Sequence, residues 1–187
     1  QHANVGIAHN PSSNLKLASG IAPIKRMLDL HCNVGIGTDG TASNNDLDMI
    51  EEIRLASMIA KVSTGDPTAL PARQVLAMAT IIGARALHME DLIGSLEPGK
   101  RADVILLDIG PVHNQPHFRR DQNSIYAQII YAAKSTDVTH VMVNGSWLMQ
   151  DRKLLTLDEE GLIAQAQVFA GKIDIFFKGR EETVLSK

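Results

Sequence analysis

Apolar and polar positions organise the start of the chain into two similar units. Residues 4–8 form a short apolar run, read as a strand, that passes directly into His9-Asn10-Pro11-Ser12-Ser13-Asn14, a polar, turn-rich loop. Pro23 then suits a first helical turn, with Ile21, Ile24, Met27 and Leu28 on one face at helical spacing. The pattern breaks at His31 and Cys32, and residues 33–38 read as a buried strand ending at Asp39-Gly40. A second loop, residues 41–45, leads into a second helix that Asn44 or Asn45 can cap. Asp46 and Asp48 suit the positive end of its dipole and Lys61 the other end, while Leu47, Ile50, Ile53 and Ile59 are expected to face inward. Gly65 and Pro67 close the unit.

Two strand–loop–helix units with polar residues just after each strand are the signature of parallel βα architecture. In α/β barrels such strand ends and loops build the active site, which places His9, Asn10, Asn14, Asp39, Ser43 and Asn44 on the functional face. Beyond Pro71 the pattern becomes structural: a mostly apolar helix over residues 72–87, a turn at 94–100 and a strand at 102–108. Asn144-Gly145 between two apolar runs is a strong hairpin signal, because a two-residue turn with positive φ favours this pair. The last helix is expected over residues 158–172, with Leu162, Ile163, Ala166, Val168 and Phe169 forming its apolar face. The expected division is therefore residues 1–90 for the barrel portion, 91–157 for a small β layer and 158–187 for a helix and tail.

Composition narrows the function without choosing one. The chain has 187 residues, 44% hydrophobic and 21% charged, as in an ordinary globular domain. A net charge of -3 with mixed signs gives no footprint for nucleic acid or an anionic membrane. No apolar run approaches the ~18 to 20 residues needed to span a bilayer. A cytoplasmic location is the expectation, and the lone Cys32 reads as a packed thiol.

Chemistry concentrates at Asp39, a carboxylate at a strand end between Gly37 and Gly40, where backbone can approach a ligand or metal. From position alone the reading as a cap or turn former is favoured over a chemical one. His9 ends a strand on the same face and reads either as a substrate-lining residue or as a hydrogen-bonded loop residue. His113 and His117 have a spacing that would share a helix face, but Pro116 between them argues for a surface loop. His2, His31, His88 and His140 have no partner pattern and read as structural or exposed.

The run His9-Asn10-Pro11-Ser12-Ser13-Asn14-Leu15-Lys16-Leu17, then Gly35-Ile36-Gly37-Thr38-Asp39-Gly40, then Ser43-Asn44-Asn45, resembles in order and spacing the last two barrel strands of the metal-dependent amidohydrolases. Among these it is most similar to 5-methylthioadenosine/S-adenosylhomocysteine deaminases and their chlorohydrolase-like relatives. Ile93-Gly94-Ser95-Leu96-Glu97-Pro98-Gly99-Lys100-Arg101-Ala102-Asp103 resembles the family's return from the barrel into its small β-sandwich, and Val143-Asn144-Gly145 a late sandwich hairpin. The resemblance implies an α/β fold: the last two βα units of a (β/α)8 barrel plus the C-terminal part of a β-sandwich. A complete barrel takes about 250 residues, so the rest would come from a longer protein or from partner chains.

It also implies chemistry. Asp39 would be a metal ligand and would take up a proton, with Asn10, Asn14, Ser43 and His9 lining the substrate. The metal would be zinc, or iron, held with ligands that this chain lacks, since the family's His-x-His pair has no counterpart here. The implied reaction is deamination of an adenosine-like, nucleoside-sized substrate by attack of metal-bound hydroxide. A non-catalytic scaffolding remnant, or an amidohydrolase acting on guanine, cytosine or a triazine, are the alternatives. Partners follow from the incomplete barrel: self-association, or the missing N-terminal part. Two departures, Ile82 where Asn is usual and His31-Cys32 where a small residue and Gly are usual, bear on packing.

Overall fold

A computed structural model describes residues 5–118, 121 and 123–185, so Asn4 and His2 lie outside the described residues. β1 (Gly6–His9) and β2 (Asn33–Ile36) pair in parallel, with Ile7 opposite Val34 and His9 opposite Ile36. Alternation along the strands puts Ile7, His9, Val34 and Ile36 on one face and Gly6, Ala8 and Gly35 on the other. The first face packs against the main buried core. Val34 is fully buried in a core with Ile24, Ile50, Ile53, Ala56, Ala60, Leu70, Val75, Met78 and Ile130.

The helices supplying that core are α2 (Ile24–Asp29), α3 (Met49–Thr64), α4 (Ala72–Met78) and α6 (Ser124–Tyr131). α3 begins at Asp48, whose carboxylate accepts from Ile50 N–H at 2.8 Å and Glu51 N–H at 3.1 Å. This corrects the expected cap, because Asn44 is buried and spends its amide elsewhere, and Leu47 lies before the helix, 43% exposed. Gly65 ends α3 in the left-handed region at φ 67°, as a helix-terminating glycine should. Ile59 is only partly buried.

Three elements differ from the sequence reading. Residues Pro11–Lys16, expected as loop as far as Asn14, form a short helix α1, for which Pro11 presets φ at a position that needs no N–H. One expected helix is two: α4 stops, Thr80 leaves helical geometry at φ -126° and ψ -105°, and α5 (Ile81–Ala86) restarts. The Thr80 hydroxyl donates back to the Leu76 carbonyl at 2.9 Å, a bond that competes with helix continuation. The restart lets α5 press on the glycine face of the sheet, where a Cβ on Gly6 would lie 1.8 Å from the Ala86 carbonyl oxygen. α6 was not anticipated. It is fastened to α3 by Arg54, which donates to the carbonyls of Ile130 (3.0 Å) and Ala133, and by the Ser57–Tyr131 hydroxyl pair at 2.7 Å.

β3 (Val104–Leu107), β4 (Val138–Val143), β5 (Ser146–Gln150) and β6 (Lys153–Leu154) form an antiparallel sheet in that order. Asn144 and Gly145 turn from β4 to β5 at φ 49° and 79°, the positive values their types predict. The last helix, α7 (Glu159–Leu185), runs well past the expected end at residue 172. No helix among the described residues is long and apolar enough to cross a membrane.

Candidate functional site

The C-terminal ends of β1 and β2 carry the polar cluster. After β2 the chain turns sharply, and Asp39 adopts φ 63°, a left-handed conformation that Asp tolerates better than most residues but that still costs energy. The turn leaves its carboxylate exposed. Ser43 and Ser13 each donate a hydroxyl hydrogen bond to Asp39 Oδ2 at 2.7 Å. Ser43 most strongly, then Ser13 and the Gly40 backbone N–H, hold the carboxyl below the usual carboxylate range. The group is thus ionised at neutral pH and open to solvent on a strand end.

The donors come from two different loops. Ser13 sits buried in α1, after β1, while Ser43 belongs to the loop between β2 and α3. Lys16 joins these loops by donating to the Asn45 side-chain oxygen at 2.6 Å and to the Ala42 carbonyl at 3.2 Å. Beneath them Glu52, 1% exposed, accepts from Ser12 N–H at 3.1 Å and from Asn44 Nδ2 at 2.6 Å. Asn10 lies against the same strand end: a Cβ on Gly37 would fall 2.5 Å from its side-chain oxygen.

Sequence-predicted residues therefore divide. Asp39, Ser43 and Asn10 come together at the ends of β1 and β2. Asn14 is partly buried and, with His9, Pro11, Leu15, Ile21 and Ile59, lines a hollow of only about 10 Å³. His9 does not join the cluster. Strand alternation turns it to the helix side, where it is 5% exposed with Nδ1 lacking a hydrogen-bond partner, and desolvation lowers its pKa to about 4. Ser13 and Glu52 were missed. Glu52 had a signal, an acid in register with Ala56 and Ala60 on the inward stripe of α3, where an acid is kept only with partners.

Other metal-ligating groups stay apart from Asp39. Asp46, Asp48 and Glu51 have ligand atoms within 4.8 Å of one another at the start of α3, where the cap and the helix dipole account for acids. His113, in a single 3-10 turn over Val112–Asn114, pairs through Nε2 with Asp137 at 2.8 Å, while His117, on the loop that Pro116 implies, bonds the Ile109 carbonyl at 2.7 Å. A larger open cavity of about 620 Å³ lies against the glycine face of β1 and β2, bounded by Ala8, Gly35, Gly83, Ala86 and Ile105.

Comparison with known proteins bears on this arrangement. Residues 1–148 match the family described as "Amidohydrolase family". The chain is 54% identical over 169 residues to a 5-methylthioadenosine/S-adenosylhomocysteine deaminase of Desulforudis audaxviator, covering 90% of this chain and 38% of that protein. It is 48% identical, with the same coverage, to a 5'-deoxyadenosine deaminase of Methanosarcina acetivorans. Among solved structures, a zinc-bound adenosine deaminase from Xanthomonas campestris superposes with TM-score 0.83 at 42% identity, covering 90% of this chain and 37% of that one. A zinc complex of atrazine chlorohydrolase from Arthrobacter aurescens gives TM-score 0.78 at 31% identity, covering 89% and 36%. The chain thus spans little more than a third of the length of these relatives.

Proposed function

The chain belongs to the amidohydrolase family, and from that premise we propose that it is the C-terminal portion of a metal-dependent hydrolase that deaminates adenosine-like compounds such as 5-methylthioadenosine and S-adenosylhomocysteine. The observation that carries this reading is the exposed, ionised Asp39 carboxylate, oriented by two hydroxyls at the ends of parallel strands. Its two strands would be the last of a (β/α)8 barrel, with residues 1–90 in the barrel, 91–157 in a β-sandwich portion and 158–187 beyond. Identities of 54% and 48% to enzymes named for adenosine derivatives, against 31% to the triazine enzyme, favour a nucleoside substrate over a triazine.

Asp39 fits the role of one ligand to zinc, or to iron, since a charged oxygen with fixed orientation is what such a cation accepts; the other ligands would come from outside this chain. Bound there, the cation would supply a water acidified toward neutrality. Asp39 would hold the cation and accept a proton at a carboxylate oxygen. Ser13 and Ser43 keep that carboxylate charged and aimed, and Asn10 and Ser43 would border the substrate, with Asn14 set back from them in its small hollow. His9 is buried on the helix side, away from this cluster. Partners in the proposal are the remaining barrel strands or another copy of the chain, because β1 and β2 each leave an edge unpaired among the described residues. A cytoplasmic location belongs to the same proposal.

Asp39→Asn in the complete enzyme tests it, because the amide keeps the volume but loses the charge and the basic oxygen. Turnover of 5-methylthioadenosine should fall at least about 100-fold with circular dichroism unchanged. A variant that keeps more than about a tenth of the wild-type kcat removes Asp39 from the mechanism.

A further inference from the structure

We propose that Glu52 is a positioning residue for Asp39, a buried brace that locks together the two loops whose serines hold that carboxylate. The inference rests on the proposed function only where it concerns turnover. Glu52 never touches Asp39. It spends one oxygen on each loop instead: Oε2 accepts the Ser12 backbone N–H at 3.1 Å, and Oε1 accepts the Asn44 side-chain N–H at 2.6 Å. The neighbours of those two residues, Ser13 and Ser43, are the two donors to Asp39 Oδ2, each at 2.7 Å. One side chain on α3 therefore sets the separation of both donors.

The geometry also fixes the polarity of the brace. Asn44 Oδ1 accepts the Leu47 N–H at 3.2 Å, so its amide nitrogen must be the end that faces Glu52. Two donors converge on Glu52, one on each oxygen, and a carboxylate is the side chain able to accept both. With Glu52 1% and Asn44 3% exposed, water cannot easily replace a lost partner. Burying an acid here is costly unless it is fully hydrogen-bonded, and the cost is met on a helix otherwise filled at this level by Ile53, Ala56 and Ala60. Packing alone would be served as well by an apolar residue. Holding two loops in register would not.

Glu52→Gln places an amide N–H against one of the two donors and breaks one arm. Asn44→Asp sets two carboxylates face to face. Combined, Glu52→Gln with Asn44→Asp reverses the polarity of one bond and restores all three. The new amide on α3 then donates to the new carboxylate on the loop and accepts from Ser12, while the second oxygen of that carboxylate still accepts from Leu47. In the complete enzyme each single variant should lower kcat about 10- to 100-fold with KM little changed, because misplacement of about 1 Å costs that much. Zinc affinity should fall about tenfold or more, as when a ligand loses the groups that orient it. The double variant should recover most of both losses. Independently of activity, exchange of the Ser12 amide in the 187-residue chain should be slow in the wild type, fast in Glu52→Ala and slow again in the double variant.

Single variants that keep kcat and zinc affinity within about twofold overturn the brace, since coupled contacts should show more. A double variant no better than either single one overturns it too. If Glu52→Gln fails to fold, Asn44→Ala, which removes one arm and leaves the acid, takes its place and must show the same loss. If the complete protein deaminates nothing, the functional reading falls alone, and zinc affinity and Ser12 exchange still decide the brace.

Discussion

The two halves of the molecule bury apolar surface very differently. Around β1 and β2, four helices enclose a core in which Val34, Leu70, Val75, Met78 and Ile130 are each 0% exposed. In the four-stranded sheet no hydrophobic residue is fully buried among the described residues, and Ile105, Leu106 and Val143 are each close to half exposed. α7 goes further, presenting Ile163, Val168, Phe169, Ile173, Phe176 and Phe177 to solvent. Antiparallel sheets commonly face water on one side, but they do so with polar residues. The difference teaches where the fold is self-sufficient: the site-bearing layer makes its own core, and the later sheet and helix leave large apolar side chains exposed.

The sharpest way to break that contrast is to empty the core beneath the site. Ile53 is 1% exposed between α3 and its neighbours. Ile53→Ala should destabilise the chain by about 2–5 kcal/mol, a transfer cost plus a cavity cost, read from a shift in denaturant midpoint. A loss below about 0.5 kcal/mol, the range of surface changes, would mean that this layer is no better packed than the sheet.

A smaller effect should come from His9, the one ionisable side chain turned into that layer from the strand. Desolvation lowers its pKa from 6.5 to about 4, so folding favours the neutral ring. The folded value lies below the unfolded one. Its contribution is therefore complete above about pH 6.5 and is lost as pH falls towards about 4, by at most ~3 kcal/mol. His9→Gln should flatten that part of the stability–pH curve. Below about pH 4 the depressed carboxylates of Asp39, Asp66, Glu97 and Asp137 act in the same direction, so the informative window lies above them. An unchanged slope between pH 6.5 and 4 in the variant would place His9 in contact with water.

Much of the site-bearing layer was legible because parallel strands advertise themselves. Val34-Gly35-Ile36-Gly37 carries no polar side chain and leads through Thr38 to Asp39-Gly40, a pattern that marks a carboxylate at the end of a buried strand. The Asn144-Gly145 turn was equally plain, since few residue pairs tolerate two positive φ values. What escaped was set by contacts distant in sequence. Thr80 splits a helix so that Gly83 can lie against Gly35, and nothing local announces that encounter. His9 ends a strand like a site residue, yet the pairing of Ile7 with Val34 turns it to the helix face. Ser13 gains its meaning from Asp39, 26 positions away, and Glu52 gains its bridging role only once Ser12, 40 positions away, joins Asn44 as a partner.

The smallest expected effect lies in the other half and carries the comparison furthest. Ile105 sits on β3 at 50% exposure and borders the open cavity beside the glycine face of β1 and β2. In the chain alone, Ile105→Ala removes little that is shielded from water, so it should cost no more than about 0.5 kcal/mol. The isolated chain should also associate with rising concentration in sedimentation, because about 25 cal/mol per Å² of apolar surface remains to be recovered. In the complete protein the same substitution should cost several-fold more, provided the proposed barrel strands cover that cavity. A cost in the isolated monomer equal to that of Ile53→Ala would show that β3 already has its cover, and would remove the asymmetry between the two halves.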